Sequence, residues 1–317
     1  MPYRLDPSVP LPVTVAEVAR SQVKALRADL KHPRRRGEVE SVHDARKRAK
    51  KLRALTRLVR PALGDLYGAS NEVFRDTARE LSELRNSQVL VETLEALCVS
   101  TPVALGTPAL SEARSEAVAR HRRATERLAA ADGPLSRARR ASAPAGEIIG
   151  QWDLPDDFAT LGAGFGNTYG RATEAFGRCL DERSAGAFHE LRKRVKYHRY
   201  QLELLSSIGG GLIEPWADRL HDLTDLLGDD HDLWELVAVV RSDPDAFGGE
   251  EALDAIEVLA AGRSAQLRRS ALALGSRLTA EDPDALVARL EKWWSAARRY
   301  GNATGPTRLA DLGGGTS

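Results

Sequence analysis

Apolar residues recur every three or four positions over long stretches of this chain, a spacing that is typical of amphipathic α-helices. Leu, Ala, Arg and Glu dominate, and aromatic residues make up only 5%, which favours helices over sheets. We therefore predict an all-α protein. The clearest helical segments are predicted at residues 14–31, 40–60, 66–83, 109–131, 158–182, 186–207, 250–278 and 283–299.

Two of the predicted helices carry a stripe of basic residues, and the second repeats the first. On a helix with about 100° per residue, each set spans about a third of the circumference, beside an apolar stripe. The first stripe consists of His43, Arg46, Lys47, Lys50, Arg53 and Arg57, and the second of His189, Arg192, Lys193, Lys196 and Arg199. One face of each helix is therefore predicted to pack into a core while another faces a partner.

The stripes concentrate positive charge in a chain that is nearly neutral overall, with 46 Lys and Arg against 45 Asp and Glu. Like charges spaced four residues apart on a helix cost about 0.2 to 0.5 kcal/mol per pair. That repulsion favours an anionic partner. The alternative explanation of the stripes is structural. Each would be a solvated helix face that was kept in both copies by duplication alone.

The offset between the two stripes, from His43 to His189, also relates other segments, so the chain is interpreted as two related halves. Each half is predicted to form a four-helix bundle, and the halves are expected to meet about a pseudo-two-fold axis around a basic central groove or channel. The predicted divisions are a first half at 10–141, a linker at 142–156, a second half at 157–300 and a disordered tail at 301–317.

The cysteines and the start of the chain indicate a cellular compartment. Cys98 and Cys179 are the only two cysteines and lie in apolar helical contexts, which predicts buried thiols in a reducing compartment. The chain opens without the charged and apolar pattern of a signal peptide, and no apolar run approaches the length of a membrane span. A cytoplasmic location is therefore expected.

Acidic and histidine residues between His221 and Asp232 offer the oxygen and nitrogen ligands of a metal site. The aligned part of the first half lacks them, and Asp229 or Asp230 is interpreted as the cap of a helix that starts after Gly228. No metal is predicted, and no cofactor either.

Three glycines follow one face of a predicted helix. Gly162, Gly166 and Gly170 are spaced every four residues, and no strand precedes them as a dinucleotide-binding loop would require. The spacing is interpreted as close packing against a neighbouring helix.

The two histidine-led helices resemble those of the CHAD domain family. The family's first-half pattern, His-x-x-Arg-x-x-x-basic-basic-Leu-Arg, is matched by His43, Arg46, Lys50, Lys51, Leu52 and Arg53. Its second-half pattern, His-x-Leu-Arg-x-x-x-Lys-x-x-Arg-Tyr-x-x-Glu, is matched by His189, Leu191, Arg192, Lys196, Arg199, Tyr200 and Glu203. The family's Leu-Gly-x-x-x-Asp turn is matched by Leu227, Gly228 and Asp232.

The resemblance covers about residues 10 to 300. It implies two four-helix bundles around a basic channel, with inorganic polyphosphate as the ligand and binding rather than catalysis as the activity. The physics of the stripes agrees with that ligand, because a polyanion without bases needs only a series of positive charges. The eleven stripe residues are the predicted binding residues, with Arg46, Lys50, Arg53, Arg192, Lys196 and Arg199 as the main contacts.

Other functions stay open alongside polyphosphate binding. Nucleic acid would be attracted by the same cations, although only Tyr197 and Tyr200 offer stacking surfaces, both in one copy. An enzyme is not expected, because no nucleophile with a base lies near His43 or His189. These histidines are expected to bind a phosphate oxygen or to orient the stripe, with a structural role at the helix start as the alternative. Three roles of such a binding protein stay open. It could target polyphosphate granules and their proteins, act as an accessory subunit of a polyphosphate-metabolising enzyme, or buffer the polymer.

Overall fold

A computed structural model describes residues 3–31, 33, 37–100 and 108–301, and the regular structure in these residues is helical throughout. The prediction of an all-α protein is therefore confirmed. The helices are α1 (Leu11–Lys31), α2 (Glu38–Leu58), α3 (Arg60–Leu63), α4 (Leu66–Glu80), α5 (Ser82–Ser100), α6 (Pro108–Leu128), α7 (Pro134–Ser142), α8 (Ala145–Gly150), α9 (Ala159–Glu182), α10 (Ala185–Leu205), α11 (Ile213–Ser242), α12 (Gly249–Leu278) and α13 (Pro283–Tyr300).

The eight predicted helical segments correspond to α1, α2, α4, α6, α9, α10, α12 and α13, within three residues at either end. Helices α5 and α11 were not among them. The predicted linker at 142–156 contains α8, which packs against α1 and α4, and Trp152, whose Nε1 donates to Ser70 Oγ at 3.1 Å. Apart from Gly301, the predicted tail at 301–317 lies outside the described residues.

The ends of several helices follow from local sequence. The hydroxyl oxygen of Ser184 accepts a hydrogen bond from the Ala187 N–H at 3.2 Å and so caps the start of α10. Asp282 caps α13 in the same way, with Pro283 in the first turn, where its missing N–H costs nothing. Helix α9 ends at Glu182, and Arg183, which follows it, has the left-handed conformation, with φ at 51°.

One predicted helix start is wrong. Helix α11 runs without a break from Ile213 to Ser242, so Gly228 lies in its interior and neither Asp229 nor Asp230 caps a helix. The Leu-Gly-x-x-x-Asp segment is likewise helical rather than a turn. An interior glycine costs about 1 kcal/mol relative to alanine, and here packing of α11 against α10 and α12 outweighs that cost.

Two buried apolar clusters form the interior, and each combines residues of both sequence halves. The larger includes Leu52 of α2 together with Leu191 and Leu202 of α10. The smaller joins Leu94 of α5 to Leu236 of α11, among other residues of α5, α6, α11 and α12. The two predicted halves therefore share both cores.

The two basic helices, α2 and α10, are in direct contact. Gln201 Nε2 of α10 donates to the Ala54 carbonyl of α2 at 3.3 Å, and Lys51 of α2 lies 2.7 Å from a carboxylate oxygen of Glu203 on α10. Helix α9 packs against both. Its Gly164 lies against the Leu58 backbone, so close that an added Cβ would stand 1.9 Å from the Leu58 carbonyl oxygen.

The predicted packing of the glycine face of α9 is confirmed. Gly162 and Gly166 lie against Val287 of α13, where an added Cβ would come within 3.1 Å of the valine side chain in each case. Gly170 lies against Pro283 of the same helix. Within the described part of the chain, none of the helices combines the length and apolarity that a membrane span requires.

Candidate functional site

A cavity of about 1080 Å³ opens between α2, α5, α6, α10 and α11. Positive side chains dominate its wall, with eleven Lys or Arg residues against six Asp or Glu residues. The cations are Arg46, Lys47, Lys50, Lys51, Arg85, Arg120, Arg123, Arg127, Arg192, Lys196 and Arg199. The acids are Glu83, Glu203, Asp225, Asp229, Asp232 and Glu235.

The structure brings together seven of the eleven stripe residues in this cavity. The seven are His43, Arg46, Lys47, Lys50, Arg192, Lys196 and Arg199. The repeat relates Arg46 to Arg192 and Lys50 to Lys196, so equivalent residues of α2 and α10 reach the same space. The other four stripe residues lie outside its wall.

Two of those four, Arg53 and Arg57, bind Tyr197 and Asn71 instead. The Arg57 guanidinium lies 4.3 Å from the centre of the Tyr197 ring, and its Nη1 donates to Asn71 Oδ1 at 2.7 Å. Arg53 donates to the same oxygen through Nε at 3.3 Å. Helix α2 carries its stripe beyond the cavity, so these two arginines contact α4 and the Tyr197 side chain of α10.

Lys193 and His189 also lie beside the cavity rather than in it. Lys193 Nζ is 2.5 Å from a carboxylate oxygen of Glu190, one turn earlier on α10. His189 Nδ1 lies 3.0 Å from Nδ1 of His231, and His231 is part of the cavity wall. His189 therefore contacts the cavity through a second imidazole.

Three histidines at or beside the cavity, His43, His189 and His231, have lowered pKa values and are neutral at neutral pH. Burial, followed by the charges of Arg192 and Lys193, lowers the pKa of His231 to about 3. Burial also lowers the pKa of His189, and burial together with Arg85 lowers that of His43. These imidazoles can exchange hydrogen bonds with a ligand but add no positive charge.

Several cavity cations lack a carboxylate partner among the described residues, and four of them occupy equivalent positions of the two basic helices. Among the described residues, no ion pair is formed by Arg46, Lys50, Arg192 or Lys196, whereas Glu203 lies close to both Lys51 and Arg199. The cationic groups of the two repeated helices are therefore only partly neutralised by the protein.

The lysine pKa values reflect burial first and then the repulsion between these charges. Burial, together with the charges of Arg192, Arg199 and Arg46, lowers the pKa of Lys196 to about 8. Burial, then the charge of Lys196, holds the pKa of Lys50 well below its usual 10.5. An anion in the cavity would relieve this repulsion.

Three guanidinium groups of the cavity wall have unused hydrogen-bonding capacity. The Nε atoms of Arg46, Arg192 and Arg199 are buried and have no hydrogen-bond partner in the described structure. Arg46 is oriented by Nη1, which donates to the Ala78 carbonyl at 2.5 Å. Charge-assisted donors of this kind are suited to oxyanions, and several together are suited to an anion with more than one charged centre.

Sequence reasoning missed the part of the wall that comes from α5 and α6. Arg85 lies on α5, and Arg120, Arg123 and Arg127 lie on α6. All four form ion pairs, for example Arg120 with Glu116 at 2.8 Å, so they are less free than the cations of α2 and α10. The repeat offered one signal for the position of Arg85. Arg85 corresponds to His231 in the second half, and both residues line the cavity.

The buried thiols predicted from the sequence are confirmed, since Cys98 and Cys179 are both buried and free. Burial raises the pKa of Cys179 to about 11. In the described ranges, no three or more His, Cys, Asp or Glu side chains are grouped so that they could hold a metal ion.

Comparison with protein families identifies the family of this chain. The family model described as CHAD domain matches residues 17–241, a range that includes α2, α10 and nearly all of α11. Among curated proteins, none matches this chain.

Proposed function

This chain belongs to the CHAD domain family, which is associated with polyphosphate binding in general, and we propose that it binds inorganic polyphosphate in the cavity between α2 and α10. The observation that carries the proposal is the convergence of Arg46, Lys50, Arg192 and Lys196 on one space, with no carboxylate partner among the residues that the structure describes. The repeat supplies these residues in equivalent pairs. We also propose that two helical bundles, related by a pseudo-two-fold axis, surround this basic groove.

The chemistry of the wall suits a polymer of phosphates. Arginine holds two phosphate oxygens at once through its planar guanidinium, whereas lysine supplies a mobile point charge. Both types occur in the wall on α2 and on α10, so a flexible chain can be held without a fixed register. We propose a binding module rather than an enzyme. Its alternative roles are targeting to polyphosphate granules and action as an accessory subunit of a polyphosphate-metabolising enzyme.

Nucleic acid is the competing ligand, and the cavity wall favours polyphosphate. Tyr200 is the only Phe, Trp or Tyr among the described wall residues, and it is buried, with 3% of its surface exposed. Binders of single strands need exposed aromatic rings on which bases can stack. The cavity offers charge without such a surface.

A titration with polyphosphates of graded length, in competition with nucleic acid, tests the proposal. We expect affinity to rise with chain length until the cavity is filled, and to fall steeply with salt because charged contacts are screened. Duplex DNA and single-stranded RNA, matched in total phosphate, should not displace the polymer. Displacement at equal phosphate concentration would overturn the assignment.

Polyphosphate affinity is also expected to fall as the pH rises through about 8. A bound polyanion stabilises the ammonium form of Lys196, so the complex holds more protons than the free protein above the free pKa of about 8. From Lys196 alone, affinity should drop about tenfold between about pH 7 and pH 9. Titrations at constant ionic strength, with long chains that have few terminal phosphates, measure the effect.

The matched variant for this pH dependence is Lys196→Arg, which keeps the charge but does not titrate in this range. Its affinity should change less between the two pH values than that of the unmodified protein. An equal fall in both proteins would show that Lys196 is not in contact with the ligand.

A further inference from the structure

Lysine is rare in this chain, and it is concentrated at the cavity. Of the 46 basic residues only eight are lysine, and four of these, Lys47, Lys50, Lys51 and Lys196, line the cavity. Arginine could supply the charge at any of these positions. A lysine differs from it in being able to lose its proton and become a nucleophile.

Lys50 has the surroundings of a reactive amine. It lies one turn after Arg46 on α2, it faces the cavity, and it forms no ion pair in the described structure, whereas its neighbour Lys51 is held by Glu203. Burial and then the charge of Lys196 lower its pKa, so that more of the amine is neutral at physiological pH than at an exposed lysine.

The cavity also holds donors for a phosphate group next to this amine. Arg46 and Arg192 both lie close enough to Lys50 to affect its ionisation, and the Nε atoms of both are buried with no hydrogen-bond partner among the described residues. The guanidinium groups would bind the phosphate of a small molecule. If an electrophilic carbon lies next to that phosphate, it would then stand near Lys50 Nζ. Acyl phosphates have this chemistry.

We propose that Lys50 is a modification site at which acyl phosphates transfer their acyl group to Nζ. The lone pair of the neutral amine attacks the acyl carbon, and the bond from that carbon to the phosphate oxygen breaks. Inorganic phosphate leaves with the bonding electrons, and the nitrogen releases a proton to solvent. The products are an amide on Lys50 and inorganic phosphate, so no further reactant is needed.

Acylation would remove one cation from the cavity. If polyphosphate is the ligand, as proposed above, the modified protein binds it less tightly, and the state of Lys50 reports the supply of acyl phosphate to the binding site. This consequence depends on the proposed function, whereas the reaction itself does not.

The test treats the full chain with acetyl phosphate at about pH 7.5, without polyphosphate, and follows each lysine by mass spectrometry. Lys50 is expected to react at least about tenfold faster than the exposed residues Lys24 and Lys292. Inorganic phosphate should slow Lys50 selectively by competing for the guanidinium groups. Equal rates at the three lysines, or faster reaction at Lys196 than at Lys50, would overturn the proposal.

Two variants of Lys196 separate reactivity from structure. Lys196→Arg keeps the repelling charge and should leave the Lys50 rate nearly unchanged, whereas Lys196→Met removes the charge and should slow acylation severalfold. Slowing by both variants to the same extent would contradict the role given to that charge. Selective acylation of Lys50 in a protein that does not bind polyphosphate would leave this inference standing and reject the proposed function.

Discussion

Arg46→Glu combined with Arg192→Glu is expected to weaken polyphosphate binding by at least about a hundredfold, because each charge-assisted hydrogen bond contributes about 1.5 to 3 kcal/mol. The two arginines enter the cavity from equivalent positions of α2 and α10, and neither is paired with a carboxylate in the described structure. Reversal also places two negative charges beside the ligand. Calorimetric titration at fixed ionic strength measures the loss.

The matched control is Arg57→Glu combined with Lys193→Glu. It makes the same change in net charge, again with one residue from each basic helix, but at positions outside the cavity wall. We expect affinity within a few fold of the unmodified protein. Similar losses in the two double variants would mean that overall charge, not the cavity, governs binding.

Arg46 also donates to the Ala78 carbonyl, so its reversal could disturb folding. Arg46→Gln combined with Arg192→Gln provides a milder version without the added negative charge. Circular dichroism and thermal unfolding should show folded protein while binding still falls. Full retention of polyphosphate by a folded variant would place the binding site elsewhere.

Gly164→Ala is expected to destabilise the protein by about 3 kcal/mol or more, because the added methyl group has no space. Its Cβ would lie 1.9 Å from the Leu58 carbonyl oxygen and 2.7 Å from that of Arg57. Both atoms belong to the helical backbone at the end of α2, so they cannot move aside as a flexible side chain can. Thermal unfolding should show a decrease in Tm of at least about 6 °C.

Gly177→Ala is the control for this substitution. Gly177 lies in the same helix, α9, but nothing stands within 4 Å of its added Cβ. There the alanine should stabilise by up to about 1 kcal/mol through its higher helix propensity. Equal stability of the two variants would show that α9 does not approach α2 as closely as the structure indicates.

Helices with regular apolar spacing could be predicted from the sequence, and α5 and α11 show where that signal fails. In α11, Gly228 and the charged run from Asp229 to Asp232 suggest a break, yet the backbone stays helical because neighbouring helices cover it. Helix α5 follows α4 after the single residue Leu81, with neither proline nor glycine to mark its start. Tertiary packing decides both cases.

The candidate site could be predicted only in part, for a similar reason. Helical periodicity gives the direction of a side chain from its own axis, but not the place where the neighbouring helix ends. Arg53 and Arg57 share a stripe with Arg46, yet Tyr197 and Asn71 hold them outside the cavity. The arginines of α6 reach the cavity through long-range packing that no local pattern encodes.

The shared cores have a consequence for synthesis of the protein. The smaller apolar cluster pairs α5 and α6 with α11 and α12, which leave the ribosome more than a hundred residues later. Until then, Leu94 and its neighbours lack their partners and are candidates for chaperone protection. The wall of the cavity is also incomplete in such a nascent chain, because α11 supplies part of it.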